Sequence, residues 1–211
     1  MPVDAPLYPV NLVVEGRPCL VIGGGRIAAR KIDGLLGCGA VVDVVAVEVR
    51  PEVRALTDRC NSVEERSYRR GEVAGYRLVI AATGDAAVNR MVFDDGEAAG
   101  VWVNSADDPA SCSVTLPAIL RQGPVMVTVS TGGHSPALAT WLKGKLAAEL
   151  GPEYAALAGI LSEVRAGILA QGRSTEGLDW QSALDSDMLE LVRAGDLKRA
   201  KEHLETCLSS S

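Results

Sequence analysis

Six consecutive residues limit the possible folds of this chain more than any others do. Residues 23–28 read Gly-Gly-Gly-Arg-Ile-Ala and directly follow the apolar residues 18–22. This G-x-G-x-x-A pattern at a strand-to-helix turn is typical of dinucleotide-binding folds, where Gly23 allows the tight turn, Gly25 admits a pyrophosphate and Ala28 permits close helix packing. The N–H groups of the following helix N-terminus would then face the phosphates. We therefore predict that a dinucleotide binds at this turn.

Strand-like and helix-like segments alternate through the first half of the chain. Apolar runs rich in valine predict parallel strands that are covered on both faces of the sheet. The predicted strands are residues 17–22, 41–47, 62–67, 77–82 and 101–104, and the predicted helices are residues 26–36, 50–59 and 85–100, the last with Asp85 as its N-cap. This order, with its short connections, predicts an α/β fold with a doubly wound, Rossmann-like parallel sheet.

The pattern changes after Pro109. Two strands are expected at residues 113–116 and 124–130, joined by residues 117–123 and followed by a helix over residues 136–150. Further helices are predicted at Glu153–Ala170 and, as two short helices that break near Gly195, within residues 179–208. We divide the chain into a Rossmann domain at residues 1–112, a segment at residues 113–150 and a small helical domain at residues 151–211.

Composition excludes several classes of function. The 211 residues are 47% hydrophobic and carry a formal net charge of −6, which argues against nonspecific nucleic-acid binding because that needs a basic face. The five cysteines are scattered and form no C-x-x-C pair, as expected in a reducing compartment. The sequence contains no signal peptide pattern and no apolar run long enough to span a membrane. We expect a cytoplasmic protein.

Two positions bear on which dinucleotide binds. Glu48 lies 23 positions after Gly25, where an acidic residue accepts hydrogen bonds from the adenosine ribose and would repel the 2′-phosphate of NADP. NAD is therefore the predicted cofactor, although Glu48 could also be a solvated loop residue. Thr83 ends the fourth predicted strand and could line the nicotinamide side, or it could belong only to a turn and helix cap.

Candidate catalytic groups are few. Residues 104–109 form an acidic turn after the fifth strand, where one carboxylate could act as a general base; an Asx turn before proline explains the same residues equally well. His134 lies in a glycine-rich turn and could be a base, a transient metal ligand or a solvated side chain. No pairing of histidines or cysteines indicates a bound metal.

Several motifs occur in the order found in one family. These motifs are Tyr8-Pro9, the glycine turn with Arg30-Lys31, Ala81-Ala82-Thr83, Ala87-Val88-Asn89, residues 104–109, Pro117-Ala118-Ile119 and residues 130–139. Together they resemble the siroheme synthase N-terminal family, which comprises precorrin-2 dehydrogenases, some of which are also sirohydrochlorin ferrochelatases. The resemblance covers about residues 8–150.

The resemblance implies NAD-dependent oxidation of precorrin-2 to sirohydrochlorin, followed in bifunctional members by insertion of ferrous iron to give siroheme. The family's essential aspartate maps to Asp107, and its NAD contacts map, besides Gly25, to Arg26, Ile27, Val47 and Glu48. It also implies a homodimer formed through residues 113–150.

The tetrapyrrole substrate implied by the resemblance carries eight carboxylates, so a net-acidic protein must place cations locally. We expect Arg121, Thr131 and His134 to contact it. Two other functions stay open from the sequence: a non-catalytic NAD-sensing domain, which needs only the glycine turn and Glu48, and a tetrapyrrole carrier.

Overall fold

The computed structural model describes residues 6–106 and 108–209. The chain divides into two compact units, one made of Met1–Leu116 with Thr131–Ser135 and the other of Pro117–Ser130 with Pro136–Ser211. No helix within the described residues has the length and apolar character needed to cross a bilayer.

The first unit is built on a five-stranded parallel sheet. Its strands are β1 (Pro18–Ile22), β2 (Val41–Ala46), β3 (Ser62–Glu65), β4 (Leu78–Ala81) and β5 (Trp102–Ser105), in the spatial order β3-β2-β1-β4-β5. Its helices are α1 (Arg26–Leu36), α2 (Pro51–Arg54) and α3 (Ala86–Ala99). The predicted Rossmann-like fold is confirmed, and the strand order reverses between β1 and β4, which is where such sheets form a ligand crevice.

Each face of this sheet has its own apolar core. Cys19, Val21 and Val42 contribute to a cluster that includes buried side chains of α1, whereas Leu20 and Ile22 face a second cluster that includes Val92 of α3 and the half-buried rings of Tyr68 and Tyr76. Covering both faces explains why β1 and β4 read as continuous apolar runs rather than as alternating ones.

The second unit combines a β-hairpin with helices. The hairpin consists of β6 (Ala118–Gln122) and β7 (Val125–Val129), and the helices are α4 (Pro136–Glu149), α5 (Glu153–Ala170), α6 (Trp180–Leu184), α7 (Met188–Arg193) and α8 (Leu197–Ser209). The core among the last four helices is formed by side chains such as Leu157, Ile160, Met188 and Leu204.

The predicted strand at residues 113–116 is wrong. The partner of β7 is β6, joined to it by a two-residue turn in which Gly123 has a φ of +57°. Residues 113–116 instead follow β5 without forming a strand: the Ser113 hydroxyl accepts a hydrogen bond from the Val103 N–H at 2.8 Å, and the Asn104 side chain donates to the Val114 carbonyl at 3.0 Å. The N–H groups of Ser113 and Val114 both donate to the single Val103 carbonyl, so side-chain hydrogen bonds complete a contact that does not continue as a ladder.

Two helix predictions also need correction. Residues 50–59 form the short α2 and then a 3₁₀ turn at Thr57–Arg59, because the chain must tighten before the Asn61 N–H bonds to the Val42 carbonyl and β3 begins. The C-terminal segment contains three helices rather than two. The predicted break at Gly195 is confirmed, and an additional one follows α6, where the Ser186 hydroxyl donates to the Ala183 carbonyl at 2.6 Å.

Candidate dinucleotide-binding site

A cavity of about 840 Å³ lies in the first unit beyond the carboxyl ends of β1, β2, β3 and β4. All of the residues predicted from the sequence to bind the cofactor line it: Gly23, Gly25, Arg26, Ile27, Val47, Glu48 and Thr83. The structure therefore brings these seven residues together in one place, although each individual contact with a cofactor stays a prediction.

The three glycines meet different constraints: at Gly23 and Gly24 the protein backbone passes too close for a side chain, whereas Gly25 leaves room for a pyrophosphate. Gly23 has a φ of +134°, and a Cβ there would lie 2.2 Å from the Ala82 carbonyl oxygen. A Cβ on Gly24 would lie 1.9 Å from the carbonyl oxygen of Glu48. At Gly25, the N-cap of α1, nothing lies within 4 Å of a Cβ position, so its space belongs to the cavity. This cradle fits the phosphates of a dinucleotide.

Glu48 stands at the exit of β2 with a largely exposed carboxylate. Its side chain is 72% exposed and lies 3.8 Å from the guanidinium of Arg50, a separation at which a surface ion pair contributes at most about 1 kcal/mol. The carboxylate can therefore accept hydrogen bonds from ribose hydroxyls. The backbone of the same segment is held in place, because the Arg50 N–H donates to the Gly24 carbonyl at 3.0 Å.

The β4 end of the cavity is organised around Thr83. Its hydroxyl donates to the side-chain oxygen of Asn89 at 2.7 Å and accepts from the Asp85 N–H at 3.0 Å. Asn89 is only 3% exposed, and Asp85 caps α3 as predicted by accepting from the N–H groups of Ala87 and Val88. Thr83 is thus fixed to the first turn of α3, the helix whose Val88 also lines the cavity.

Sequence reasoning missed one wall of the cavity. Arg66, Ser67 and Tyr68 follow β3 directly, and Val88 and Met91 of α3 join them in lining it. Applying to β3 the rule that ligands bind at the carboxyl ends of parallel strands would have identified the first three. The α3 contribution depends on how that helix crosses the sheet and left no separate signal in the sequence.

The acidic turn after β5 contains two adjacent aspartates. Asp107 lies outside the described residues. Asp108 caps the 3₁₀ turn Pro109–Ser111: its carboxylate accepts from the Ser111 hydroxyl at 2.7 Å and from the Ala110 N–H at 3.1 Å. The Ser111 hydrogen bond is the largest of the influences that hold the pKa of Asp108 below its usual range. Asp108 is therefore a structural cap and a poor base.

The predicted substrate residues occupy both units. Thr131 and His134 lie in the Thr131–Ser135 segment of the first unit, where the Thr131 hydroxyl accepts from the Ser135 N–H at 3.1 Å and His134 is exposed. Neither is among the described residues that line the cavity. Arg121 is an exposed residue of β6 in the second unit. Within the described part of the chain, no group of three or more histidine, cysteine or acidic side chains is arranged to hold a metal.

Comparison with known proteins agrees with this geometry. Residues 10–118 match the family described as "Putative NAD(P)-binding", which supports the predicted NAD cofactor. The chain is 35% identical over 97% of its length to a siroheme synthase of Nitrosomonas eutropha and 39% identical over 77% of its length to one of Actinobacillus pleuropneumoniae serotype 3. It spans only 44% and 34% of these two relatives, less than half of either.

A solved structure resembles nearly the whole chain. The likeness to SirC, a precorrin-2 dehydrogenase, has a TM-score of 0.74 and 26% sequence identity, and it covers 95% of this chain and 100% of that one. It therefore extends through the Rossmann-like sheet and into the C-terminal helices.

Proposed function

The chain belongs to the NAD(P)-binding family that residues 10–118 match, and within it we propose that the chain oxidises precorrin-2 to sirohydrochlorin with NAD⁺, a step of siroheme biosynthesis. The observation that carries this proposal is the likeness to a precorrin-2 dehydrogenase along almost the full length of both chains. The glycine cradle and the cavity beyond the sheet supply the binding site that such a reaction requires.

The residues of the cavity have separate tasks in this proposal. Residues 23–25 and the N-terminus of α1 bind the pyrophosphate, and Glu48 accepts hydrogen bonds from the adenosine ribose. Thr83, held by Asn89, orients the nicotinamide end. When bound, NAD⁺ supplies the acceptor for the hydride that precorrin-2 loses.

Asp107 is the proposed general base that takes the proton lost in the oxidation. This assignment comes from the family resemblance and is supported by the role of its neighbour, because the Asp108 carboxylate is occupied as a cap. One carboxylate at position 107 could serve both the oxidation and the later removal of a pyrrole N–H proton.

The test is anaerobic incubation of the pure protein with precorrin-2 and NAD⁺, with sirohydrochlorin and NADH followed together. Equal growth of both products is the expected result. NAD⁺ binding without any product would favour a sensor, and macrocycle binding without NAD⁺ binding would favour a carrier; either outcome would overturn the proposal.

Ferrous iron enters the proposal as the substrate of a second step. The family resemblance predicts insertion of Fe²⁺ into sirohydrochlorin in bifunctional members. Anaerobic incubation of sirohydrochlorin with Fe²⁺, compared with a protein-free control, tests it through the absorbance change of the macrocycle.

The proposed partner is a second copy of the chain, and the surface of α4 supports it. Ala139 is the one buried residue of that helix, whereas Trp141 is 58% exposed. In the adjoining hairpin, Ile119 is 44% exposed. These exposed apolar side chains of α4 and the hairpin support an interface between copies through residues 113–150.

A further inference from the structure

The wall of the cavity that follows β3 is held by a network unconnected with the glycine turn. Residues 66–72 leave β3, and the N–H of Arg66 donates to the Ala46 carbonyl at the end of β2 at 2.7 Å. The Arg66 guanidinium is committed to two carboxylates, bonding to Glu64 at 2.7 Å and to Glu72 at 2.7 and 3.1 Å. The positive charge of Arg66 is thereby neutralised by these two carboxylates.

Asp95 of α3 secures the remainder of this segment. Its carboxylate, in a side chain only 8% exposed, accepts hydrogen bonds from the Tyr68 hydroxyl at 2.6 Å, from the Arg70 guanidinium at 2.7 Å and from the Gly71 N–H at 2.8 Å. Three donors converge on one buried carboxylate, which is the arrangement that stabilises a charge away from water.

The hydrogen bond to Asp95 limits what Tyr68 can offer to a ligand. Its hydroxyl hydrogen is donated to Asp95, which is not among the described residues that line the cavity, so this hydroxyl is not available to donate to a ligand. Among the described lining residues, Tyr68 is the one aromatic side chain. It lies on the β2–β3 side, together with Val47 and Glu48, whereas Thr83 lies at the β4 end.

We propose that the Tyr68 ring is the surface on which the adenine of the dinucleotide packs, and that Asp95 is the positioning residue that holds the ring there. The inference rests on the proposed function for its ligand. A purine needs an aromatic or apolar face, and with the ribose at Glu48 the adenine falls on the side of the cavity where Tyr68 stands. The paired charge of Arg66 leaves it unsuited to a 2′-phosphate, in keeping with NAD.

The chain provides a matched control in Tyr76. Both tyrosines are half-buried, both pack against the same core, and each hydroxyl donates to a carboxylate, that of Tyr76 to Asp43 at 3.0 Å. Tyr76 is absent from the described residues that line the cavity. Replacing either ring by leucine therefore disturbs the fold in a similar way, but only one replacement changes the cavity wall.

The experiment measures ligand binding by the full chain without any turnover. Isothermal titration with ADP-ribose and NAD⁺ is expected to show about 5- to 150-fold weaker binding for Tyr68→Leu, the range that one base–aromatic stack is worth, and at most twofold for Tyr76→Leu. Tyr68→Phe keeps the ring and should recover most of the affinity. Nicotinamide mononucleotide, which lacks adenine and is followed by ligand-observed NMR, should bind Tyr68→Leu and the wild type alike.

The positioning role of Asp95 is tested by a double-mutant cycle. Asp95→Ala and Tyr68→Phe should each weaken ADP-ribose binding, Tyr68→Phe only a few-fold, and the combined variant should lose less than the product of the two factors, because both remove the hydrogen bond between these side chains. If the combined variant lost affinity by the full product of the two single factors, the positioning role of Asp95 would be overturned. Unchanged ADP-ribose binding by folded Tyr68→Leu would overturn the adenine contact.

The two proposals fail in distinguishable ways. Wild-type protein that binds ADP-ribose through Tyr68 but makes no sirohydrochlorin leaves this inference standing and removes the dehydrogenase. Product formation together with unaltered ADP-ribose binding by Tyr68→Leu leaves the dehydrogenase standing and removes this inference. Wild-type protein that binds neither ADP-ribose nor NAD⁺ overturns both.

Discussion

The carboxylate of Asp108 accepts a 2.7 Å hydrogen bond from the hydroxyl of Ser111, a side chain with no solvent exposure. This bond closes the 3₁₀ turn that follows β5. It engages the carboxylate of Asp108, the second of two adjacent aspartates, as a cap. The first, Asp107, is thereby the member of the pair proposed for proton transfer. The two positions differ by one residue in sequence and are assigned different tasks.

Replacing each aspartate by asparagine tests the two proposed roles separately. Asp107→Asn should lower kcat for precorrin-2 oxidation by about 10²- to 10⁴-fold, the usual contribution of a general base, with NAD⁺ affinity within twofold of the wild type. Asp108→Asn should retain turnover within a few-fold, because asparagine also caps helical turns well. Steady-state kinetics with both variants would reject the assignment of the base if Asp107→Asn kept its activity.

Alanine at Gly24 should lower stability, whereas alanine at Gly25 should weaken NAD⁺ binding. Gly24→Ala places a methyl group 1.9 Å from the Glu48 carbonyl oxygen, so it should lower the melting temperature by several degrees. Gly25→Ala meets no protein atom within 4 Å and should keep the wild-type melting temperature while weakening NAD⁺ binding at least tenfold. Thermal unfolding and titration calorimetry on both proteins provide the check. Wild-type NAD⁺ affinity in Gly25→Ala would contradict the pyrophosphate site.

Removing the hydroxyl of Thr83 should cost stability through Asn89. Thr83→Val deletes the 2.7 Å hydrogen bond to a side chain that is 3% exposed and leaves the Asn89 oxygen, within the described residues, only the 3.4 Å bond from the Thr83 N–H, so it should cost about 0.5–1.5 kcal/mol. Thr83→Ser keeps the hydroxyl and should stay within about 0.5 kcal/mol of the wild type. Urea denaturation of both variants measures the difference. Equal stability of the valine and serine proteins would show that the bond contributes nothing.

The buried carboxylate of Asp95 should make part of the stability depend on pH. Burial raises the pKa of Asp95, but the hydrogen bonds from Tyr68, Gly71 and Arg70 outweigh burial and lower it overall. Because the folded-state pKa lies below the unfolded value of about 3.9, this contribution is full above that pH and is lost as the pH falls through the folded value.

Asp95→Asn should therefore be less stable than the wild type by about 1.5–3 kcal/mol at pH 7, the range for hydrogen bonds to a charged group. The gap should shrink as the pH falls below about 4. Urea unfolding at a series of pH values measures it, with Asp94→Asn as the control, since Asp94 is an exposed neighbour on the same helix that pairs with Arg90. A gap that stayed constant down to pH 3 would count against this linkage.

Polar substitution on α4 should weaken self-association. Trp141→Ser removes the most exposed large apolar side chain of that helix, and light scattering after size exclusion should show a shift toward monomer. Trp102→Ser changes a tryptophan of similar exposure, 52%, at the start of β5 and should leave the oligomeric state unchanged. A wild-type chain that is monomeric at tens of micromolar would remove the proposed dimer.

Features encoded by contiguous residues were predictable from the sequence. The bounds of α1 and α5 and the cap at Asp85 agree with the structure, because periodicity and capping depend on residues within a turn or two of one another. The glycine turn likewise predicted a dinucleotide as its ligand. Continuous valine-rich runs indicated a parallel sheet, since strands covered on both faces need no polar side.

Contacts between distant residues could not be predicted in this way. The Ser113 hydroxyl accepts from the Val103 N–H of β5, Gly24 packs against a carbonyl 24 residues later, and Tyr68 bonds to a carboxylate 27 residues away. Each contact exists because the strand order β3-β2-β1-β4-β5 and the path of α3 bring separate segments together. Local patterns thus specified the elements and the phosphate turn. The walls of the cavity depend on hydrogen bonds and packing that arise when those elements assemble.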